Sequence, residues 1–439
     1  MRLYCLLLAL ISANLVNEKV TRVFDATTQL LKTSASVQIR NDGKASVSVI
    51  QLSADAFNAD KLIFLDAKVG NKKLKIDGNL KASLSSPLEP GQTVTLEIEE
   101  IYHGSVKPFP TEIKQADKQL VLVEVNLYYT SPYKTETSTA KINIGTKKTE
   151  SLSKTGKLEG SAVKLEEKKD FEGGSSQKSR VHFENNSPFL VAERLEREVE
   201  VSHWGNVAVT DKVWVKHTGA TLKGSFSRFD FQRQDIGPFI TEWTMILPLV
   251  AKDVYYRDLI GNISTSALRQ DYRADETVLE LTPRFPMFGG WRNHYTIGYN
   301  VPSATYLSSD ASKYQLKVPA TPELYNEFII ENYFLKFVLP EGVTDVDFKT
   351  NFELERKPDE SRYTFLDTTG RTVVVFEGKD VSFKHAAKIA VTYNWNSILI
   401  FKEPLLAISG WAVFFLVLLF FARMDYSISA PVSADKKKN

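Results

Sequence analysis

Cysteine is almost missing from this chain of 439 residues, with Cys5 the single example. Cys5 lies in an N-terminal segment expected to be removed. The mature remainder then has no disulfide, no thiol–disulfide chemistry and no Cys-based metal site. Histidine is sparse too. His103, His182, His203, His217, His294 and His385 are scattered, without an HExxH pair or another metal-ligand spacing, and read as core or surface residues. The chain also lacks a GxSxG nucleophile elbow, a phosphate-binding loop and a dinucleotide fingerprint, so no cofactor is expected. Neither sign of charge prevails: the formal net charge is +2, and no Lys/Arg stripe interleaves with aromatics. A general affinity for nucleic acid is excluded on that ground.

What the chain does have is apolar material. Hydrophobic residues make up 43% and aromatics 11%, enough for substantial cores without crosslinks. The length predicts two or three domains.

The two ends predict a topology. Met1-Arg2 is a minimal basic start, Leu3 to Ile11 is an apolar run too short to span a bilayer, and Ser12 and Ala13 are small. That pattern predicts a signal peptide over residues 1–13, cleaved after Ala13. Near the other end, Leu405 to Ala422 is uncharged, with only Ser409 and Gly410 interrupting it. At about 1.5 Å per residue it reaches roughly 27 Å, the thickness of the thin ER bilayer. A core helix would carry a polar stripe, which this run lacks, so a single transmembrane helix over 404–423 is expected. Arg423 and the lysines beyond it predict a cytosolic tail over 424–439, leaving the ectodomain lumenal. The final Lys436-Lys437-Lys438-Asn439 resembles a dilysine ER-retrieval signal carried by Lys436 and Lys437, rather than a headgroup-binding flank.

Between these ends, period-two alternation dominates. Val37 and Ile39, then Ala45, Val47 and Val49, flank Asn41-Asp42-Gly43 and predict a hairpin. Val94, Leu96 and Ile98 alternate after Pro90-Gly91, and Leu120 to Tyr129 reads as a central strand. Val199 to Val201 and Val207 to Val209 flank Gly205-Asn206, and Val373 to Phe376 and Ile389 to Tyr393 follow near the membrane. One helix is expected outside the anchor, Pro322 to Phe337, with Thr321 as cap. Between Gly145 and Arg180 the composition turns to Lys, Glu, Ser, Gly and Thr, which predicts a mobile polar insertion. With a boundary at the Asp235-Ile236-Gly237-Pro238 turn, the fold class is mainly β. Two tandem β-sandwich-like lumenal domains, 14–235 and 236–403, precede the membrane helix.

Candidate chemistry is thin. Asp345-Val346-Asp347 has the Asp-x-Asp form of metal-dependent glycosyltransferases, yet it follows Leu339-Pro340-Glu341-Gly342 and alternates with Val343, Val346 and Phe348. Two solvated carboxylates explain it better than catalysis. Two glycosylation sequons occur. Asn262-Ile263-Ser264, beside Gly261, is the expected acceptor, whereas Asn185-Asn186-Ser187 is disfavoured by Pro188. Tyr255-Tyr256 and the aromatics of 285–299 read mainly as core. Gly289-Gly290-Trp291 reads as a turn or close-approach site.

Long, compositionally unusual strings carry a family resemblance: EVSHWGNVAV from Glu200, KHTGATLKGSFSRFDFQRQ from Lys216, VYYRDLIGNISTS from Val254, PRFPMFGGWRNHYTIGYNVPS from Pro283, YTFLDTTGR from Tyr363 and KEPLL from Lys402. At these segments the chain resembles ribophorin I, a non-catalytic subunit of the oligosaccharyltransferase complex. The first part fits more loosely, through FPTEIKQADKQ and NLYYTSPY. The resemblance implies two β-rich lumenal domains and a role beside a polytopic catalytic subunit. That complex moves a preassembled oligosaccharide from dolichyl pyrophosphate to Asn of Asn-x-Ser/Thr in nascent polypeptides. The partners implied are the catalytic and other subunits, nascent substrate polypeptides and the ER membrane. Asn262, within GNIST, matches the family's glycosylated asparagine. The catalytic subunit's WWDYG motif is not present in this chain, so glycan transfer by it alone is not expected. Animal members usually carry a sizeable ribosome-contacting region after the membrane. Here Met424 to Asn439 follow the span, as in the short-tailed fungal form. Without the resemblance, composition and topology would suit a cell-surface receptor or adhesion ectodomain equally well.

Overall fold

The computed structural model describes residues 15–424 except 235–236, 325–326, 351, 365 and 386–387, together with 426 and 428. The expected signal peptide, its cleavage after Ala13, and Lys436 and Lys437 lie outside the described residues.

Strands dominate, and they fall into two units of the same topology. In the first, Leu15–Asp25 pairs antiparallel with Leu31–Asn41, which pairs with Thr93–Tyr102, which pairs with Leu62–Val69. Lys134–Asn143 returns to lie parallel to Leu15–Asp25 on its other side. In the second, Leu190–Ser202 pairs antiparallel with Asn206–His217, then come Arg292–Pro302 and Lys252–Asp258. Ile329–Glu341 lies parallel to Leu190–Ser202. Order, direction and chain sequence of these five strands match, an internal duplication that the amino-acid sequence does not display.

Each large sheet buries one face beneath two smaller sheets. In the first unit, Val20, Val37 and Ile39 pack with Ile50, Ala82 and Leu88 at one end. At the other end Phe24, Leu31 and Ile142 pack with Val121, Val123 and Phe183. In the second unit one continuous core joins Leu195, Val209 and Tyr295 to Met245 and Leu279 of one covering sheet and to Leu316 and Val391 of the other. Each such side chain contributes roughly 1.5–3 kcal/mol when fully buried, so patterning at period two is what fixes the register. A smaller cluster of Leu30, Ile101, Val191 and Ile329 joins the units. Gln29 reinforces it by donating to the carbonyl oxygens of Leu190 and Glu327 at 2.7 and 2.8 Å.

Four expectations are corrected. The described residues of 322–337 are not helical: Ile329–Glu341 is an interior strand between Leu190–Ser202 and Arg371–Ser382. Only its ends, Ile329-Ile330 and Phe337 to Pro340, are buried on both faces; between them Tyr333, Leu335 and Phe337 are buried while Asn332, Phe334 and Lys336 are not. It was the cap-like Thr321-Pro322 that imitated a helix start. Asn41-Asp42-Gly43 closes no hairpin. Val47–Gln51 leaves for another sheet and pairs with Lys81–Leu88. The Asn41 side chain shapes that crossing by donating to the carbonyl oxygens of Ala45 and Leu88. The polar stretch 145–180 forms four short strands, Thr149–Leu152, Gly156–Glu159, Ala162–Leu165 and Lys168–Phe171, and enters a fifth, Lys178–Glu184. Four apolar anchors (Ala162, Val163, Leu165 and Phe171) are buried, and they suffice for edge strands with one wet face. Finally, the 235/236 boundary falls inside the second unit, because Leu190–Ser202 and Asn206–His217 belong to its large sheet. Apart from the short pair Glu112–Ile113 with Thr221–Leu222, which bridges the units, sheet membership divides the chain between Glu184 and Leu190.

Candidate functional site: the junction of helix and sheet

The apolar run from 405 onward forms the helix Lys402–Arg423, exposed at every residue from Leu405 on. Its 22 residues reach roughly 33 Å, long enough to cross a bilayer. It is entered through a short 3-10 turn, Ser397–Phe401, that the Asn396 side chain caps by accepting from Ile398 N.

Charged side chains fasten the helix start to the second unit. Arg371, only 17% exposed, donates to Glu403 at 3.2 Å, to Glu200 at 3.0 Å and to Asp367 at 3.2 Å. Lys402 pairs with Glu341 at 3.0 Å. Burial alone would raise the Glu341 pKa, but Thr369, Lys402 and Thr368 all donate to its carboxylate and hold it well below the usual range. Asp367 also accepts from Thr364 N and Oγ1 at 2.8 and 2.6 Å. Aromatic packing adds a second fastening. His203 lies flat on Trp395, ring centroids 3.8 Å apart and planes within 5°, and desolvation lowers its pKa to about 4. The Trp395 indole donates to the carbonyl oxygen of Glu341 at 3.0 Å. A small cleft of about 80 Å³ remains between Ser202, His203 and Trp204 on one side and Leu399, Ile400 and Lys402 on the other.

The sequons differ sharply in environment. Asn262 is exposed, in a turn held by Asp258, whose Oδ1 accepts from Ile260 N and Gly261 N at 2.9 and 3.0 Å. Arg284 clamps the same turn through Asp258 and the carbonyl oxygens of Gly261 and Asn262. Asn185 is buried at 6% exposure. Its Nδ2 donates to the carbonyl oxygens of Ala26 and Thr27, while its Oδ1 accepts from Ser187 N and Oγ.

Asp345 and Asp347 are both exposed on the strand Thr344–Lys349, and Asp345 accepts from Asn394 Nδ2 at 2.8 Å. Among the described residues no three His, Cys, Asp or Glu side chains come together as a metal site. The histidines are dispersed: His294 stacks on Trp214, His182 meets the carbonyl oxygen of Phe109, and His217 Nδ1 accepts from Gly219 N. Gly289 is a close-approach site, since a Cβ there would fall 1.8 Å from the Ala220 carbonyl oxygen. Tyr256 is buried and Tyr255 partly exposed. Arg292 is held outward in a two-armed pair with Glu193.

Sequence reasoning missed the buried charges. Arg22 is 3% exposed and donates to the carbonyl oxygens of Asn126 and Leu127 at 3.0 and 2.7 Å. Arg197 and Asp211 are buried in the second unit. The signal was present as phase. Arg22 stands between Val20 and Phe24, Arg197 between Leu195 and Val199, and Asp211 between Val209 and Val213, all on the apolar beat.

The fold and its junction define a class: a duplicated β protein carried on one apolar helix long enough to cross a membrane. The Ribophorin I family model matches residues 15–422. The nematode Caenorhabditis elegans has a "dolichyl-diphosphooligosaccharide–protein glycosyltransferase subunit 1" that is 37% identical over 95% of this chain and 74% of its own length. Subunit 1A of Arabidopsis thaliana is 35% identical over 95% of this chain and 71% of its own length. Subunit 1B of Oryza sativa is 34% identical over 92% of this chain and 90% of its own. A solved M1 zinc metallopeptidase from Deinococcus radiodurans aligns with 47% of this chain and 43% of its own at 9% identity and a TM-score of 0.29, which carries no argument. The chain belongs to the ribophorin I family.

Proposed function

We propose that this chain is a non-catalytic subunit of the oligosaccharyltransferase complex of the ER membrane, serving protein N-glycosylation. The observation that carries this reading is the family match over 15–422, together with relatives named as subunit 1 of the glycosyltransferase. The helix Lys402–Arg423 is read as a single type I span, with the β units lumenal and the tail cytosolic. Its partners are then the catalytic and other subunits, and its substrates are nascent polypeptides passing on the lumenal side.

The geometry supports a presenting role. Ion pairs at Arg371 and Lys402 couple the helix stiffly to the second unit, so that unit is held at a set height over the bilayer. A cleft of about 540 Å³, to which Ile63 of the first unit and Asn332, Phe334, Phe352 and His385 of the second contribute, gives an extended polypeptide apolar and polar footholds. Depletion of the chain is expected to lower sequon occupancy on a subset of glycoproteins and to shrink the complex on native gels. Unchanged occupancy together with an unchanged complex size refutes the reading.

A further inference from the structure

The hairpin that joins Leu190–Ser202 to Asn206–His217 ends in His203, Trp204 and Gly205, with Gly205 at φ +105° making the tight reversal. His203 is committed to the stack on Trp395. Trp204 takes no part in that packing and is 62% exposed. In the turn that leads into the helix, Ile398 and Phe401 are 71% and 60% exposed. Lone exposed apolar residues are ordinary. Trp204 is set apart by its place, because it lines one cleft with Leu399, Ile400, Lys402 and Glu403 of the helix entrance.

Height follows from that contact. A helix of roughly 33 Å slightly exceeds a hydrocarbon core of about 30 Å, so its first turn, with Lys402 and Glu403, lies in the interfacial layer. Whatever packs against that turn lies at the same level. Tryptophan favours this layer, with its ring among acyl chains and headgroups and its N–H toward water. The nearby charges are already satisfied inside the protein, Lys402 by Glu341 and Arg371 by Glu200, Asp367 and Glu403. The edge therefore has no call for anionic headgroups.

We propose that Trp204, at the hairpin tip beside the helix entrance, forms a second membrane contact that enters the interfacial layer of a zwitterionic phospholipid bilayer. This rests on the reading that the helix spans the membrane. With two points of attachment, the hairpin and the helix, the second β unit cannot swivel freely about the turn at 397–401.

The test uses the full chain carrying Cys5→Ser, in phosphatidylcholine nanodiscs, with an environment-sensitive fluorophore on one introduced thiol. Labelled Trp204→Cys is expected to be quenched several-fold more by a headgroup-proximal nitroxide lipid than labelled Tyr272→Cys, a site 74% exposed on another edge. Labelled Phe415→Cys, mid-helix, is expected to respond to a deep nitroxide. Because the fluorophore has its own lipid affinity, unlabelled chain gives a second reading: Trp204→Ala should lose part of the intrinsic tryptophan quenching by brominated phosphatidylcholine. If Phe415→Cys responds but Trp204→Cys matches Tyr272→Cys and Trp204→Ala changes nothing, the membrane contact is overturned while the span stands. If Phe415→Cys is silent, the span itself fails, and this contact with it.

Discussion

Arg197 and Asp211 oppose each other on adjacent strands inside the second unit, Arg197 Nε to Asp211 Oδ1 3.6 Å, with side chains 2% and 1% exposed. Arg197 also donates from Nη2 to the Tyr299 hydroxyl at 2.9 Å. Two charges desolvated together gain little net stability, but either one left alone is costly. Asp211→Ala is therefore expected to destabilise the second unit by about 3–5 kcal/mol, and the paired Arg197→Met, Asp211→Leu change by much less. Urea denaturation of the detergent-solubilised chain decides it. A single mutant no worse than the double would mean that the pair is not coupled.

That pair also shows where the sequence was legible. Alternation at Val199, Val201, Val207 and Val209 announced two strands across Gly205-Asn206, and the apolar 405–422 run announced the helix. What alternation cannot reveal is which sheet a strand joins, since pairing partners lie far apart in the chain. Val47–Gln51 kept its strand character and changed its partner. Ile329–Glu341 was misread because Thr321-Pro322 has the form of a helix start, although Tyr333, Leu335 and Phe337 keep the period-two signal. The duplication was hidden for a related reason: it lies in the order and direction in which the strands pair, which alternation does not spell out. The junction at Arg371 was illegible because its partners Glu200 and Glu403 are distant in sequence.

Glu100 gives the first unit a pH dependence. Burial, the largest influence, pushes its carboxyl up to about 7, against the lowering effects of the Tyr102 hydroxyl bond and Arg22. In the unfolded chain the group titrates near 4.5. The folded state thus holds a proton that the unfolded state has released across this window. Its contribution is fully present below about 4.5 and is lost as pH rises through about 7. Glu100→Gln, which stays neutral, should be more stable than the parent at pH 8 and nearly equal to it at pH 4.5. Parallel shifts of the thermal midpoint at both values would contradict the assignment.

Arg371 is the predicted keystone of the helix junction. Arg371→Leu strands Asp367, 1% exposed, without its cation and releases Glu403 at the helix start. A loss of roughly 2–3 kcal/mol is expected, the range for hydrogen bonds to charged groups. Arg371→Lys should recover part of it, since one ammonium cannot reach three carboxylates in the fork geometry of guanidinium. Limited proteolysis at 397–401 reports the junction directly and should accelerate in Arg371→Leu. Removing Lys357, one-third exposed, should leave both readouts unchanged, because its pairs with Glu355 and Glu377 lie at the surface.

The sequons provide the last prediction, and burial is what separates them. Modification requires the asparagine amide to reach a catalytic site in an open turn, which Asn262 offers and Asn185, with both ends of its side chain bonded internally, does not. Chain isolated from cells should therefore carry one glycan removable by endoglycosidase H. Asn262→Gln should migrate like the deglycosylated parent. Asn185→Gln should keep the glycan yet unfold more readily, because its carboxamide ties the segment before the second unit to the carbonyl oxygens of Ala26 and Thr27. A mobility shift from Asn185→Gln rather than from Asn262→Gln would reverse the assignment, and would mean that glycan is added before this segment docks.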